Sequence, residues 1–513
     1  MEKIFVNNPW INQNTIEDRD YQRNIVSSAI NSNTLVVLPT GLGKTSIAAL
    51  VVAHCLEKNP EKNILFLAPT RPLVHQHFQN FEKFLKIGVE MKIITGEHKP
   101  SERGKIYKGA NIIFATPQTI RNDIQTDIID LKNFSLCIFD EAHRAVGNYA
   151  YPYVARKFTQ EAKGLILALT ASPGSAASKI AEVKKELFID NIEIKSREDG
   201  DVSKYVQKLD QEWIEVELTP PLKAIREYLE KCRDPKMKKL LNWGIIRSSM
   251  MRKADMIKLQ QNLANKKTGI NMAAMSQLAE VMKIDHALIL LETQCLHSLN
   301  EYFLRLEEKK EETRAVTRLM NDENFLSAMR LTKELIKEGK EHPKIEKLKE
   351  LIERELKENK DAGIMVFAQF RDTITQINDT LKNVKNAAPV EFIGQAKKYG
   401  KGLKQKEQVQ ILNEFKLGFY NILVASQIGE EGLDIEETDM VIFYEPVPSA
   451  VRRIQRTGRT ARTKEGKVVI LMTKNTRDEA YHWSAFQKEK TMKKILYSMQ
   501  NKQKQEQRSV KEF

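Results

Sequence analysis

The chain has 513 residues, which at about 150 residues per domain suggests three domains. With 41% hydrophobic and 29% charged residues it is neither disordered nor collagen-like, and no run nears the ~20 uninterrupted apolar residues of a membrane span. Lys and Arg number 82 against 68 Asp and Glu, and the net charge of +14 points to a polyanionic partner such as nucleic acid, or to plain solubility charge.

The start, MEKIFVNNPW, carries charge and a proline where a signal peptide needs an apolar run, so a soluble protein is expected, with no membrane partner. From Asn33 to about Ile194 short apolar runs alternate with longer mixed segments. The runs are Thr34–Leu38, Ile64–Leu67, Ile112–Ala115, Leu136–Phe139 and Leu165–Leu169. Runs this short, bounded by turn formers, read as buried strands of a parallel sheet, and the segments between them can hold crossover helices. Residues 222–342 hold one proline and three glycines among Leu, Ile, Met, Lys and Glu, a composition for long helices. Charge is uneven there: residues 221–270 carry 13 Lys/Arg and 4 Asp/Glu, against 13 and 15 in 271–350. The basic half is a candidate nucleic-acid face, with a solvated helix surface as the plain alternative. A second α/β region follows at about 346–480, with runs at Ile364–Ala368, Ile422–Ala425, Met440–Tyr444 and Val468–Met472. The tail from Gln487 reads equally as a polar helix or a linker. Cys55, Cys137, Cys232 and Cys295 lie far apart, which argues against a disulfide framework or a cysteine zinc site and fits a reducing compartment.

Three motifs carry chemistry. LPTGLGKT (Leu38–Thr45) directly follows a strand-like run. Gly41 and Gly43 allow the tight turn that surrounds a phosphate with backbone N–H groups, Lys44 would reach β and γ phosphates, and the Thr45 hydroxyl would ligate Mg²⁺. Leu38 stands where the general phosphate-loop pattern has its first glycine. DEAH (Asp140–His143) ends the run LCIF, and strand C-terminal ends are where doubly wound sheets bind ligands. Asp140 would hold Mg²⁺ while Glu141 orients and deprotonates the attacking water. In QRTGRTAR, Gln455, Arg459 and Arg462 fall at i, i+4 and i+7, one face of a helix, where two guanidiniums suit a γ-phosphate.

Together these residues resemble a superfamily 2 helicase, and the supporting motifs occur in the family order. RDYQ, with Gln22, looks like the adenine-contacting motif. APTRPLVHQ, Thr95–Gly96 and TPQT look like strand-contacting motifs of the first core domain, and TAS (Thr170–Ser172) like its coupling motif. VFAQFR, ASQIGEEGLDI and QRTGRTAR look like those of the second. DEAHRAVGNYAYPYV with a helical insert between the cores is similar to the Hef and Fanconi-anaemia M-type branch-DNA helicases. The RIG-I-like RNA sensors share the insert's placement. They usually add an N-terminal signalling module and a cysteine-rich zinc domain, and only about 18 residues precede Arg19 while no cysteine follows Cys295.

The resemblance implies two RecA-like α/β domains of doubly wound parallel sheet (1–205 and 346–485), an all-helical insert (206–345) and a polar tail (486–513). ATP and Mg²⁺ would sit in the cleft, with Gln22, Thr40, Gly41, Gly43, Lys44, Thr45, Asp140, Glu141 and His143 on one wall. Gln455, Arg459, Arg462, Gly432 and Asp434 would face them. A nucleic-acid strand would cross both domains at Arg71, Thr116, Gln118, Arg371 and Ser426. The insert's Lys236, Lys238, Lys239, Arg247, Arg252, Lys253, Lys258, Lys266 and Lys267 would clamp a duplex arm. The implied activity is 3′-to-5′ translocation on forked or branched DNA at stalled forks, in an archaeal or other prokaryotic cytoplasm near the nucleoid. Hef proteins typically continue into a nuclease domain, so the resemblance implies either a naturally short member or the helicase part of a longer protein with a nuclease domain or partner beyond the C-terminus. A dsRNA-stimulated ATPase of the RIG-I-like type is the alternative.

Overall fold

A computed structural model describes residues 4–172, 177–205, 209–249, 251–265, 268–394, 402–426, 438–446 and 466–511. Seven strands form the first sheet: β1 (Thr34–Val37), β2 (Asn63–Leu67), β3 (Met91–Ile94), β4 (Ile112–Ala115), β5 (Phe134–Phe139), β6 (Leu165–Thr170) and β7 (Asn191–Ile194). Their order is β3-β4-β2-β5-β6-β1-β7, with all pairs parallel. The inner strands are apolar on both faces because helices cover both. One face packs on the helices Asp20–Ala29, Lys44–Lys58 and Arg71–Phe84, the other on Pro117–Gln125, Ala150–Glu161 and Ala177–Glu186.

The second sheet holds β8 (Leu209–Val216), β9 (Ile364–Phe367), β10 (Pro389–Phe392), β11 (Ile422–Ala425), β12 (Met440–Phe443) and β13 (Gly466–Thr473), in the order β10-β11-β9-β12-β13-β8 and again all parallel. One expected boundary is corrected here. The expected insert begins at residue 206, yet Leu209–Val216 pairs with β13 through all eight residues and belongs to the second domain. As an edge strand it tolerates Asp210, Glu212 and Glu215, so no apolar run betrays it.

The insert proper is helical: Pro220–Asn242, Lys253–Ala264, Gly269–Thr293, Leu296–Glu308, Arg314–Leu319 and Glu323–Lys337, before Pro343–Glu358 enters the second domain. Asp322 caps the helix Glu323–Lys337 by accepting from the N–H groups of Asn324 and Phe325. The insert and the second domain share a buried polar seam. Gln294 Nε2 donates to Glu445 at 3.4 Å, Thr373 Oγ1 donates to Gln294 at 2.9 Å, and Lys344, fully buried with its partner Asp478, donates to Thr293 O at 3.2 Å.

The tail is a helix, Arg477–Lys511, and it is not merely polar. It returns to the first domain and buries Met492 and Leu496 in that domain's core. Tyr497 donates to Asp199 at 2.9 Å and Gln500 to Glu193 at 2.9 Å. All four cysteines are buried free thiols. Among the described residues no helix is long and apolar enough to cross a membrane.

Candidate functional site

β1, β6 and β5 are neighbours, and the three segments leaving their C-terminal ends converge. After β1 the chain turns through Gly41 (φ 86°) and Gly43 (φ 79°) into the helix that begins at Lys44. Glycine at 43 is needed because its φ is left-handed, and a Cβ there, 2.3 Å from Gln22 Nε2, would also push the buried Gln22 side chain aside. Gln22 is buried, its Nε2 donates to Leu42 O at 3.3 Å, and its Oε1 is buried without a hydrogen-bond partner. Lys44 Nζ donates to Leu38 O at 2.9 Å, Thr45 is half-buried one residue on, and the Thr40 carbonyl lies 3.5 Å from Arg197.

After β5, Asp140 is buried and accepts from His77 Nε2 at 2.8 Å. Burial alone would raise its carboxyl, but His77, by charge and hydrogen bond, and Lys44 outweigh that and hold it below the usual carboxylate range. Tyr151 donates to the Asp140 carbonyl at 2.6 Å, pinning the backbone at this turn. Glu141 takes φ 50° and ψ 49°, a left-handed conformation unusual for a side chain of this size, and its Oε2 has no hydrogen-bond partner. His143 Nδ1 lies 3.2 Å from that oxygen and 3.3 Å from Thr170 Oγ1. Thr170 donates to Ser172 O at 3.1 Å, and Ser172 Oγ donates to Met492 Sδ at 2.8 Å. DEAH, TAS and the C-terminal helix are thus linked by side chains.

The expected strand contacts also gather at C-terminal strand ends. Arg71 opens the helix after β2 and pairs with Glu97 at 2.7 Å, beside Gly96. Thr116 precedes the helix after β4, 2.8 Å from Thr119 Oγ1, and Gln118 is exposed. In the second domain Arg371 opens the helix after β9 and donates to Gly394 O at 3.3 Å, while Ser426 follows β11 with its N–H on Phe392 O. Gly432, Asp434, Gln455, Arg459 and Arg462, with Lys266 and Lys267 of the insert, lie outside the described residues.

One insert residue is corrected. Lys236 is half-buried and pairs with Asp322 at 3.0 Å, so it staples helices together and is no surface contact. Lys238, Lys239, Arg247, Arg252, Lys253 and Lys258 are exposed. Arg252 and Lys253 edge a cavity of about 1080 Å³ between the insert and the C-terminal helix. Sequence reasoning missed His77, Tyr151 and Glu97. His77 falls on the apolar face of its helix with Leu73, Val74 and Phe81, where a histidine reads as core.

A DEAD/DEAH box helicase family model matches residues 19–180, and a helicase conserved C-terminal domain matches 343–464. A helical bundle described from an ATP-dependent RNA helicase matches 221–341. The chain is 41% identical to the helicase domain of Hef from Pyrococcus furiosus in its crystal structure, with a TM-score of 0.71 over 91% of this chain and 98% of that one. It is 39% identical to a Methanocaldococcus jannaschii protein provisionally named an ATP-dependent RNA helicase, over 97% of this chain and 63% of that one. It is 35% identical to the ATP-dependent DNA helicase fml1 of Schizosaccharomyces pombe, over 91% and 58%. The chain therefore spans about three fifths of the length of these two relatives.

Proposed function

The chain belongs to the Hef and Fanconi-anaemia M branch of the superfamily 2 helicases, and from that membership we propose that it is an ATP-driven DNA helicase and translocase acting on forked or branched DNA. The observation that carries this reading is the convergence of the phosphate loop, DEAH and TAS on three adjacent strand ends, with Arg71 and Thr116 along the same edge. The buried, unpartnered Gln22 Oε1 beside the loop fits the amino group of adenine. The half-buried Thr45 hydroxyl and the ionised Asp140 are hard oxygen donors that suit Mg²⁺.

ATP with Mg²⁺ supplies the phosphoryl group whose transfer to water drives the cycle. The backbone N–H groups around Gly41 and Gly43 cradle its phosphates, and Lys44 neutralises them. Glu141 orients the attacking water and accepts its proton, with the strained backbone aiming the carboxylate. His143 links Glu141 to Thr170, so a change at the phosphate end reaches the TAS segment. Gln455, Arg459, Arg462, Gly432 and Asp434 complete the site from the second domain, the two arginines on charge that develops during transfer. Arg71, Thr116, Gln118, Arg371 and Ser426 hold strand phosphates, which positions the strand without reading sequence. Translocation runs 3′ to 5′, the cellular setting is fork repair near the nucleoid, and a nuclease domain or partner is the companion activity.

Steady-state ATPase stimulated separately by single-stranded DNA, forked DNA and dsRNA tests this. Stimulation is expected from both DNAs, and Lys44→Ala is expected to abolish turnover while nucleotide-free DNA binding survives. Stimulation by dsRNA alone would establish the RNA reading, which the names of the helical-bundle model and the Methanocaldococcus jannaschii relative carry. Turnover of Lys44→Ala within tenfold of wild type would show the phosphate loop misassigned.

A further inference from the structure

We propose that His77 is a positioning residue that fixes the Asp140 carboxylate and couples it to the strand-contacting helix. The proposal rests on the reading above, in which Asp140 holds Mg²⁺ and Arg71 holds the strand. His77 is buried, and its ring packs on Phe66 with centroids 4.5 Å apart. An ionised carboxylate only accepts, so Nε2 carries the proton in the 2.8 Å contact with Asp140 Oδ2. That bond fixes the rotation of the carboxylate about Cβ–Cγ. The other ring nitrogen, Nδ1, is buried without a hydrogen-bond partner, so among the described residues Asp140 alone bonds the ring.

The helix Arg71–Phe84 adds the coupling. Arg71 is its first residue and His77 lies six residues on, about 9 Å along one rigid element at 1.5 Å per residue. Displacing the helix at Arg71 therefore displaces Nε2 against Asp140. Strand binding and metal binding become linked, and the linkage is reciprocal. Partners that orient metal ligands from behind are typically worth about 10–100-fold in metal affinity.

The test is the Mg²⁺ dependence of binding of a fluorescent ATP analogue, with and without single-stranded DNA. In wild type, DNA is expected to lower half-saturating Mg²⁺ by at least about fivefold, the lower end of usual couplings. In His77→Leu, half-saturating Mg²⁺ should rise about 10–100-fold and the effect of DNA should vanish. His77→Gln, which keeps a donor at similar reach, should restore most of both. If His77→Leu does not fold, His77→Asn, one carbon shorter than glutamine, is expected to show the loss instead. Asp140→Asn separates the two levels of the reading. If it leaves Mg²⁺ dependence unchanged, the metal site is misassigned and the proposal falls with it. If Asp140→Asn shifts the dependence and the His77 variants do not, or glutamine fails to rescue, the proposal alone is overturned.

Discussion

His342 caps the helix Pro343–Glu358 by accepting from Lys344 N at 3.2 Å through Nδ1, a role only the neutral ring can fill. Burial, with the charge of Lys344 second, pushes its pKa down to about 3 from an ordinary 6.5. The sign follows from the depressed value: the stability it contributes is complete above pH 6.5 and is lost as pH falls towards 3. By pH 5 the loss is about 2 kcal/mol at 1.36 kcal/mol per unit. His342→Asn keeps a capping oxygen and removes the titration. Unfolding at pH 7 and pH 5 should show wild type losing about 2 kcal/mol more than the variant, and parallel losses would refute the assignment. The placement of Lys44, Asp140 and Glu141 just after the C-terminal ends of apolar strands was legible from residue type and spacing alone. His77 was not, because burial on a helix's apolar face looks the same in sequence whether the ring touches a phenylalanine or an aspartate.

Among the elements, Lys344 and Asp478 join four pieces of chain. Lys344 Nζ donates to Thr293 O at the end of the long insert helix, and Asp478 accepts from Thr473 N at the end of β13. Removing one partner strands a buried charge, at a typical cost of about 3–5 kcal/mol. Lys344→Met and Asp478→Leu are each expected to lose that much in chemical denaturation, and the double variant to recover most of it. A single variant costing under about 1 kcal/mol would mean water reaches the site. The strands show which elements sequence reveals. The nine with continuous apolar runs all lie inside the sheets. Among the described residues, the four that sequence reasoning missed, β3, β7, β8 and β10, are the four edges. An edge strand is covered less completely, so Lys92 in β3 and Pro389 in β10 are tolerated. In β7, Glu193 is buried but satisfied by Ser28 at 2.7 Å and Gln500 at 2.9 Å. No local pattern could announce partners so far along the chain.

For the whole molecule, the charge excess is densest in the first half of the insert, where Lys238, Lys239, Arg247, Arg252, Lys253 and Lys258 are among the exposed basic residues. If they grip a duplex arm, reversing Lys238, Lys239, Arg247 and Lys258 should weaken forked DNA more than single strands. The log–log salt slope for forks should fall by roughly 0.9 for each phosphate that is no longer neutralised. Equal weakening on both DNAs would make the insert a general attractor, and no weakening would make these residues a solvated surface. The insert's helical character was legible from composition, and the docking face of the last helix was present but overlooked: Met492, Ile495, Leu496 and Met499 fall at i, i+3, i+4 and i+7, a narrow apolar face within a polar stretch. Among the described residues, that docking leaves the first domain tied to the rest at two places: the chain between Ile194 and Leu209, and the seat of Met492 and Leu496. A body held at one point can turn about three axes. Held at two, it keeps only the axis through both, as a door does on a pair of pins. As far as these two ties act, relative motion of the two sheets is confined to few degrees of freedom, and Ser172, bonded to Met492, sits at one of the pins.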